Sequence, residues 1–173
     1  MVPLADGFEE IEASTIIDVL RRAGLHVDTI GVVGSQITGS HGLRVTVDKK
    51  LSDISDDYDA IVLPGGSPGY MNLGRSARIL EILRKMNSKQ KIIAAICGAP
   101  SVLAKAGVLE DKKATIYPGM ENELPYPRDE RVLIDRNIIT SQGPGTAMEF
   151  ALKLVEILAG NQMASRLKRD LLV

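Results

Sequence analysis

Lys91-Ile92-Ile93-Ala94-Ala95-Ile96-Cys97-Gly98-Ala99-Pro100 decides how the surrounding chain must fold. Its apolar run has the length of a strand and ends at the only cysteine of 173 residues. The run does not alternate with polar residues, so both of its faces need covering. This predicts a central parallel strand. Ala99 to Gly107 predicts a short helix, with Pro100 suited to its first turn and Gly107 to its stop. Cys97 is therefore expected at a sharp strand-to-helix corner, as in the nucleophile elbow of hydrolases. A free thiol has a pKa of about 8.5, and a helix N-terminus lowers it by roughly one unit. A strongly ionised Cys97 needs further donors. A buried, inert cysteine satisfies the same position, and position alone does not separate the two.

Working outward, Asp59 to Pro64 predicts a second buried strand, followed by Gly65-Gly66-Ser67-Pro68-Gly69. Glycines just past a strand let backbone N–H groups approach an anion closely, as in an oxyanion-binding corner. No GK[ST] follows and no GxGxxG is present, so neither nucleotide fingerprint applies. Val2 to Ala5 predicts a short first strand. Phe8 to Ala23 predicts a helix stopped by Gly24. On its wheel Glu12 lies well inside the apolar arc, where burial keeps a carboxyl protonated. Glu9 and Glu10 suit the helix dipole.

His26 to Val33 predicts another strand, with His26 structural. Ser35 to Val47 predicts a hairpin or edge excursion that carries His41 in a turn. Ser76 to Met86 predicts an amphipathic helix, and Lys113 to Tyr117 a short strand. Pro118 to Arg131 is a long polar loop. Arg131–Ile134 and Asn137–Thr140 predict strands, and Ser141-Gln142-Gly143-Pro144-Gly145-Thr146 leads into a helix over 147–159. Gln162 to Val173 predicts a basic amphipathic helix and tail. Strands alternating with helices imply a doubly wound, mainly parallel α/β sheet in one domain, 1–173. Its site is expected past the carboxyl ends of the strands, where Gly65, Gly66, Cys97 and Glu12 converge.

Composition narrows the function. Net charge is −1, with four tyrosines, two phenylalanines and no tryptophan, which argues against a nucleic-acid surface. No apolar run approaches the ~20 residues of a membrane span, and no signal peptide is seen. One cysteine excludes an internal disulfide and fits a reducing, cytoplasmic setting. Two histidines without HExxH or CxxC make a structural zinc site improbable, so no metal is expected.

Five segments in order resemble the ThiJ/PfpI superfamily, in the branch of the parkinsonism-associated deglycase and bacterial YajL. They are Leu4 to Glu12, Asp18 to Gly24, Val62 to Gly66, Ala94 to Cys97 and Thr140 to Thr146. The resemblance implies a flavodoxin-like fold of the class I glutamine-amidotransferase type, forming a homodimer with the first helix in the interface. It implies a nucleophilic Cys97 and a protonated Glu12, with oxyanion donors from Gly65, Gly66 and Gly98. Arg22 of the partner and His41 would line an anion pocket. Glu9 and Asp18 would form an acidic cluster behind Glu12. Tyr117 stands where some relatives carry histidine, and Gly98 where the peptidase branch does, so neither a protease nor a glutamine amidotransferase is expected. The implied activity acts on small reactive carbonyls or glycated groups without a cofactor, as a glutathione-independent glyoxalase or deglycase. The alternative is a redox sensor or stress chaperone working through oxidation of Cys97.

Overall fold

The computed structural model describes residues 1–55 and 57–173. Parallel strands β1 (Val2–Leu4), β2 (Thr29–Gly31) and β5 (Lys49–Lys50) pair in the order β1-β2-β5. A second group pairs in the order β6-β7-β9-β8, from β6 (Ala60–Leu63), β7 (Ile92–Ile96), β8 (Val132–Asp135) and β9 (Ile138–Ser141). The Val62 N–H donates to the Met1 carbonyl at 3.0 Å, which carries β1 onto β6 and joins the two groups. Only β8 runs antiparallel in this layer, on β9 at its edge. The predicted hairpin forms separately, from β3 (Gln36–Thr38) and β4 (Arg44–Thr46).

The central strand behaves as its composition requires. Ile93 and Ala95 point into one apolar cluster, with Leu83, Met86, Val102 and Leu103. Ala94 and Ile96 point into the other, with Ile16, Leu20, Phe150 and Leu154. Helices α2 (Gly69–Arg75), α3 (Ala77–Ser88) and α4 (Pro100–Lys105) cover the first face. Helices α1 (Glu10–Arg22), α5 (Ala147–Ala159) and α6 (Asn161–Asp170) cover the second. Both sides of β7 are therefore dry, which is why it has no polar residue between Ile92 and Ile96. The fold is the doubly wound, flavodoxin-like one that the sequence implied.

Three local expectations need correction. Lys113 to Tyr117 is not a strand; only an isolated bridge links Ala114 to Pro127. Its other N–H groups scatter to separate partners, Lys113 on the Asp135 carboxylate, Thr115 on the Thr140 hydroxyl and Tyr117 on the Cys97 carbonyl. The strand predicted from His26 forms only at Thr29–Gly31, and His26 lies exposed before it, with Nε2 3.1 Å from Asp28 Oδ1. Helix α2 was not foreseen. Two glycines within seven residues weaken its helix signal, and it forms because Leu73 buries against the first-face core.

Candidate active site

Three strand ends meet at one edge of the sheet, the ends of β6 and β7 that the sequence placed there and the end of β9, which it did not. The β6 strand runs into Pro64-Gly65-Gly66, β7 into Cys97, and β9 ends at Ser141. Cys97 is a non-glycine residue at φ +63°, in the left-handed region. That conformation costs on the order of 1–3 kcal/mol and persists only when its surroundings impose it. Both of its backbone polar groups are tied. The Cys97 N–H donates to the Ser141 carbonyl at 3.0 Å, and the Tyr117 N–H donates to the Cys97 carbonyl at 2.9 Å. Behind the corner, a Cβ on Gly98 would lie 2.8 Å from the Tyr70 ring. Ser141 and Tyr70 thus hold the corner. Ser141 belongs to a motif visible in the sequence, whereas nothing in the sequence marked Tyr70.

Glu12 enters from the first turn of α1 and is fully buried. Its Oε2 accepts a 2.7 Å hydrogen bond from the Gly65 N–H, while Oε1 has no partner of proper hydrogen-bond geometry. Burial pushes its pKa up to about 7. The Gly65 N–H and the neighbouring Cys97 thiol pull the other way, and the charge of Glu9 adds to the rise. A Cβ on Gly65 would fall 2.6 Å from Cys97 Cβ and 3.0 Å from Glu12 Oε2, so acid and thiol close in on the same backbone spot.

The thiol departs from expectation. Burial and the charge of an ionised Glu12 push Cys97 up to about 12, against the backbone N–H groups of Gly66 and Gly98, which pull it down. Gly66 and Gly98 are two of the three residues that the resemblance implied as oxyanion donors; here their amides face the sulfur, and the third, Gly65, donates to Glu12. Two groups this close titrate as a pair. With the proton on Glu12 the repulsion disappears and the carboxyl becomes a donor. A thiolate at this corner therefore requires a carboxylic acid beside it.

The remaining candidates spread outward. Glu9 caps α1, its carboxylate accepting from the Ile11 N–H at 3.4 Å, and its backbone N–H donates to Gly65 O at 3.0 Å. His41 lies exposed on the hairpin tip, with Nδ1 2.9 Å from Glu10 Oε2 and 3.8 Å from Glu9 Oε2. Glu9, Glu10 and His41 each offer a ligand atom within 4.8 Å of the others, a separation the direct Glu10–His41 pairing already explains. Arg22 and Asp18 are exposed and paired with each other at 2.7 Å. Within one protomer Asp18 makes no hydrogen bond or ion pair to Glu12 among the described residues, so the acidic neighbour of Glu12 is Glu9. Tyr117 is half-exposed, its ring against Gly143.

Sequence and fold both resemble known proteins. Residues 1–157 match the DJ-1/PfpI family. The chain belongs to that family. It is 44% identical over 179 residues to protein dj-1beta of Drosophila melanogaster, with 100% of this chain and 96% of that one covered. To the Parkinson disease protein 7 homolog of Danio rerio it is 37% identical over 181 residues, with 100% and 96% covered. Among solved structures, oxidized Toxoplasma gondii DJ-1 superposes with a TM-score of 0.96 at 40% identity, covering 99% of this chain and 96% of that one. Drosophila DJ-1beta gives the same TM-score at 43% identity and the same coverage. No helix among the described residues is long and apolar enough to cross a membrane.

Proposed function

We propose that this DJ-1/PfpI protein is a cofactor-independent enzyme acting on small reactive carbonyls through Cys97 and Glu12. The observation that carries this is the buried Glu12 carboxyl, half-satisfied by Gly65, beside the only thiol. A proton held near pH 7 suits general acid–base work. The Cys97 sulfur attacks an aldehyde carbon and forms a C–S bond. Cys97 reacts as the thiolate that exists when Glu12 holds the proton, so the carbonyl oxygen takes that proton, Glu12 is left as the carboxylate, and a hemithioacetal forms. With a 2-oxoaldehyde such as methylglyoxal, the hydrogen on C1 moves as a proton to C2, and the proton of the C1 hydroxyl moves to the C2 oxygen, so C1 becomes the thioester carbonyl and C2 carries the hydroxyl. Water then cleaves the resulting thioester to a 2-hydroxy acid and the free thiol, with no net redox change. The amides of Gly66 and Gly98, with Gly65, are the donors proposed for the oxyanion.

The same proposal includes a homodimer across α1, with Arg22 reaching the partner's site. Ile11 is 58% exposed on that helix, which a partner would cover. Purified protein given methylglyoxal without glutathione should produce lactate, and Cys97→Ser should not. Absent turnover, or equal turnover by the variant, sinks the enzyme.

One observation favours a second function, a redox sensor: the Toxoplasma structure is described as oxidized. Mild peroxide supplies the oxidant, and two oxygens added to the sulfur give a sulfinate that the same amides can hold. Mass spectrometry should then find 32 added mass units, about two oxygens, on Cys97 alone. A thiol unchanged after peroxide removes the sensor.

A further inference from the structure

We propose that the groove between α2 and α4 is a binding site for a small organic anion with an apolar body, and that its occupancy is felt at Cys97 through Tyr70. This holds whichever reaction Cys97 performs.

The groove holds about 520 Å³, within the range of about 300–1,000 Å³ that suits a small ligand. Tyr70 and Met71 give it apolar surface, Arg75 and Lys105 give it cations, and Ser101 and Glu123 add further polar groups. Two cations against one carboxylate leave a formal charge of +1, which a monoanion neutralises. The Lys105 ammonium has no hydrogen bond or ion pair among the described residues. Arg75 uses Nη1 on Asn72 Oδ1 at 3.1 Å and keeps its other donors. Gly74 lets the two helices meet beneath these cations. A Cβ there would lie 3.4 Å from Val102 Cγ2 and 4.0 Å from Lys105 Cδ, so the Lys105 stem runs along the seam with its charge free. The exposed Met71 thioether suits contact with an aromatic ring.

The floor of the groove is the back of the cysteine corner. A Cβ on Gly98 would meet Cδ1 and Cε1 of the Tyr70 ring at 2.8 Å, so ring and glycine are in direct contact. The Tyr70 N–H donates to Gly66 O at 2.9 Å. Ser101 Oγ donates to Gly98 O at 2.7 Å. Two groove residues thus hold the two glycines whose amides face the Cys97 sulfur. A ligand seated against Tyr70 restricts the ring from leaving Gly98 and keeps that amide on the sulfur. Donors held on the sulfur favour the thiolate. The ligand's own charge opposes this, and Arg75 and Lys105 offset it inside the groove. A filled groove therefore makes Cys97 more reactive, and by linkage the thiolate form binds the anion more tightly. Nothing in the sequence marked this site, because its two cations sit on separate helices.

The experiment follows the methionine methyl signals by NMR, with Met163 on α6 as a control on the opposite face. The probe is sodium benzoate, with benzamide as its uncharged match and sodium chloride as the salt control. Benzoate should shift Met71 saturably and leave Met163 in place, and benzamide should bind about tenfold more weakly. Arg75→Gln and Lys105→Gln should each weaken benzoate by about threefold. Iodoacetamide alkylation of Cys97 is then timed with and without benzoate, and saturation should speed it by about fivefold. Tyr70→Leu keeps an apolar lining without the ring, so it should still bind benzoate and lose the acceleration. Should that variant fail to fold, the Arg75→Gln/Lys105→Gln pair carries the test, because both side chains are exposed. Equal affinity for benzoate and benzamide overturns the proposal, as does a Met71 shift with no change in alkylation. A change in alkylation that survives in the Arg75→Gln/Lys105→Gln pair places benzoate at the cysteine itself and also overturns it. Methylglyoxal turnover enters none of these readouts, so failure of the proposed enzyme leaves this inference standing.

Discussion

The two edges of the sheet each bury a carboxylate, and the two carboxylates behave in opposite ways. At the amino edge Asp28 is almost fully buried and fully employed. Lys49 Nζ lies 2.7 Å from Oδ2, Tyr58 OH donates to the same oxygen at 2.9 Å, and His26 Nε2 lies 3.1 Å from Oδ1. The Lys49 hydrogen bond, outweighing burial and joined by Tyr58, holds the Asp28 pKa below the usual carboxylate value. At the carboxyl edge Glu12 has one backbone N–H and no cation, and burial takes it up to about 7. A cavity of about 560 Å³ opens at the amino edge, lined by His26, Asp28, Lys49 and Tyr58 among others. The lining of this cavity does not include the cysteine, whereas the unsatisfied acid lies beside it. A paired buried charge is an anchor; an unpaired one is held ready to exchange a proton.

The comparison breaks most readily at Gly66. This residue sits at φ +91°, and a Cβ would run into the Glu9 backbone nitrogen and Gly7 carbonyl. Gly66→Ala should cost about 3 kcal/mol or more, from the backbone conformation and the overpacking together. It should also take the amide off Cys97. A urea melt reads the first effect, and the rate of thiol alkylation reads the second.

Glu12→Gln sharpens the contrast through pH. Glu12 has an ordinary pKa of 4.5 and a folded value of about 7. Between those values the folded chain keeps a proton that the unfolded chain has released, so stability falls as pH rises through the window. The total is about 3 kcal/mol. Glutamine keeps an acceptor for the Gly65 N–H and does not ionise. Denaturant midpoints at pH 5 and pH 8 should therefore converge in the variant, which gains up to that amount at pH 8. A variant with the wild-type slope would mean that Glu12 is not the group holding the proton.

Asp28→Asn should act with the opposite sign. A carboxylate held below its ordinary value of 3.8 contributes stability above that pH and loses it as pH falls through the folded value. The variant should lose about 1–3 kcal/mol at pH 7, since Lys49 is half-exposed and recovers part of its solvation. Alkylation of Cys97 should be unchanged. The smallest effect is expected for His26→Gln, whose ring is largely exposed. Its stability should stay within about 0.5 kcal/mol of wild type, and a larger loss would show that the amino-edge network depends on that ring.

Much of this was legible in residue order, for identifiable reasons. The unbroken apolar run into Cys97 could be satisfied only by a strand covered on both faces, so the central strand and its corner could be read directly. Glu12 stood out because a carboxylate inside an apolar arc violates the pattern around it. The hairpin around His41 was likewise readable. The strand expected at Lys113 to Tyr117 failed because its N–H groups go to partners on several segments, Asp135, Tyr126, Thr140 and Cys97, and not to one neighbouring strand. Helix α2 was missed because two glycines hid a segment that tertiary burial of Leu73 stabilises.

By itself the sequence determined the layered fold, the position of the cysteine at a strand end and the family of the chain. These follow from periodicity and from local motifs. The tertiary structure alone decided which distant groups meet: that Glu10 carries the hairpin tip, and that Glu12 lies beside Cys97, where its ionised form suppresses the thiolate. Electrostatic energy depends on distance and burial in space, and residues 30 to 53 positions apart become neighbours only when the sheet and helices close around them.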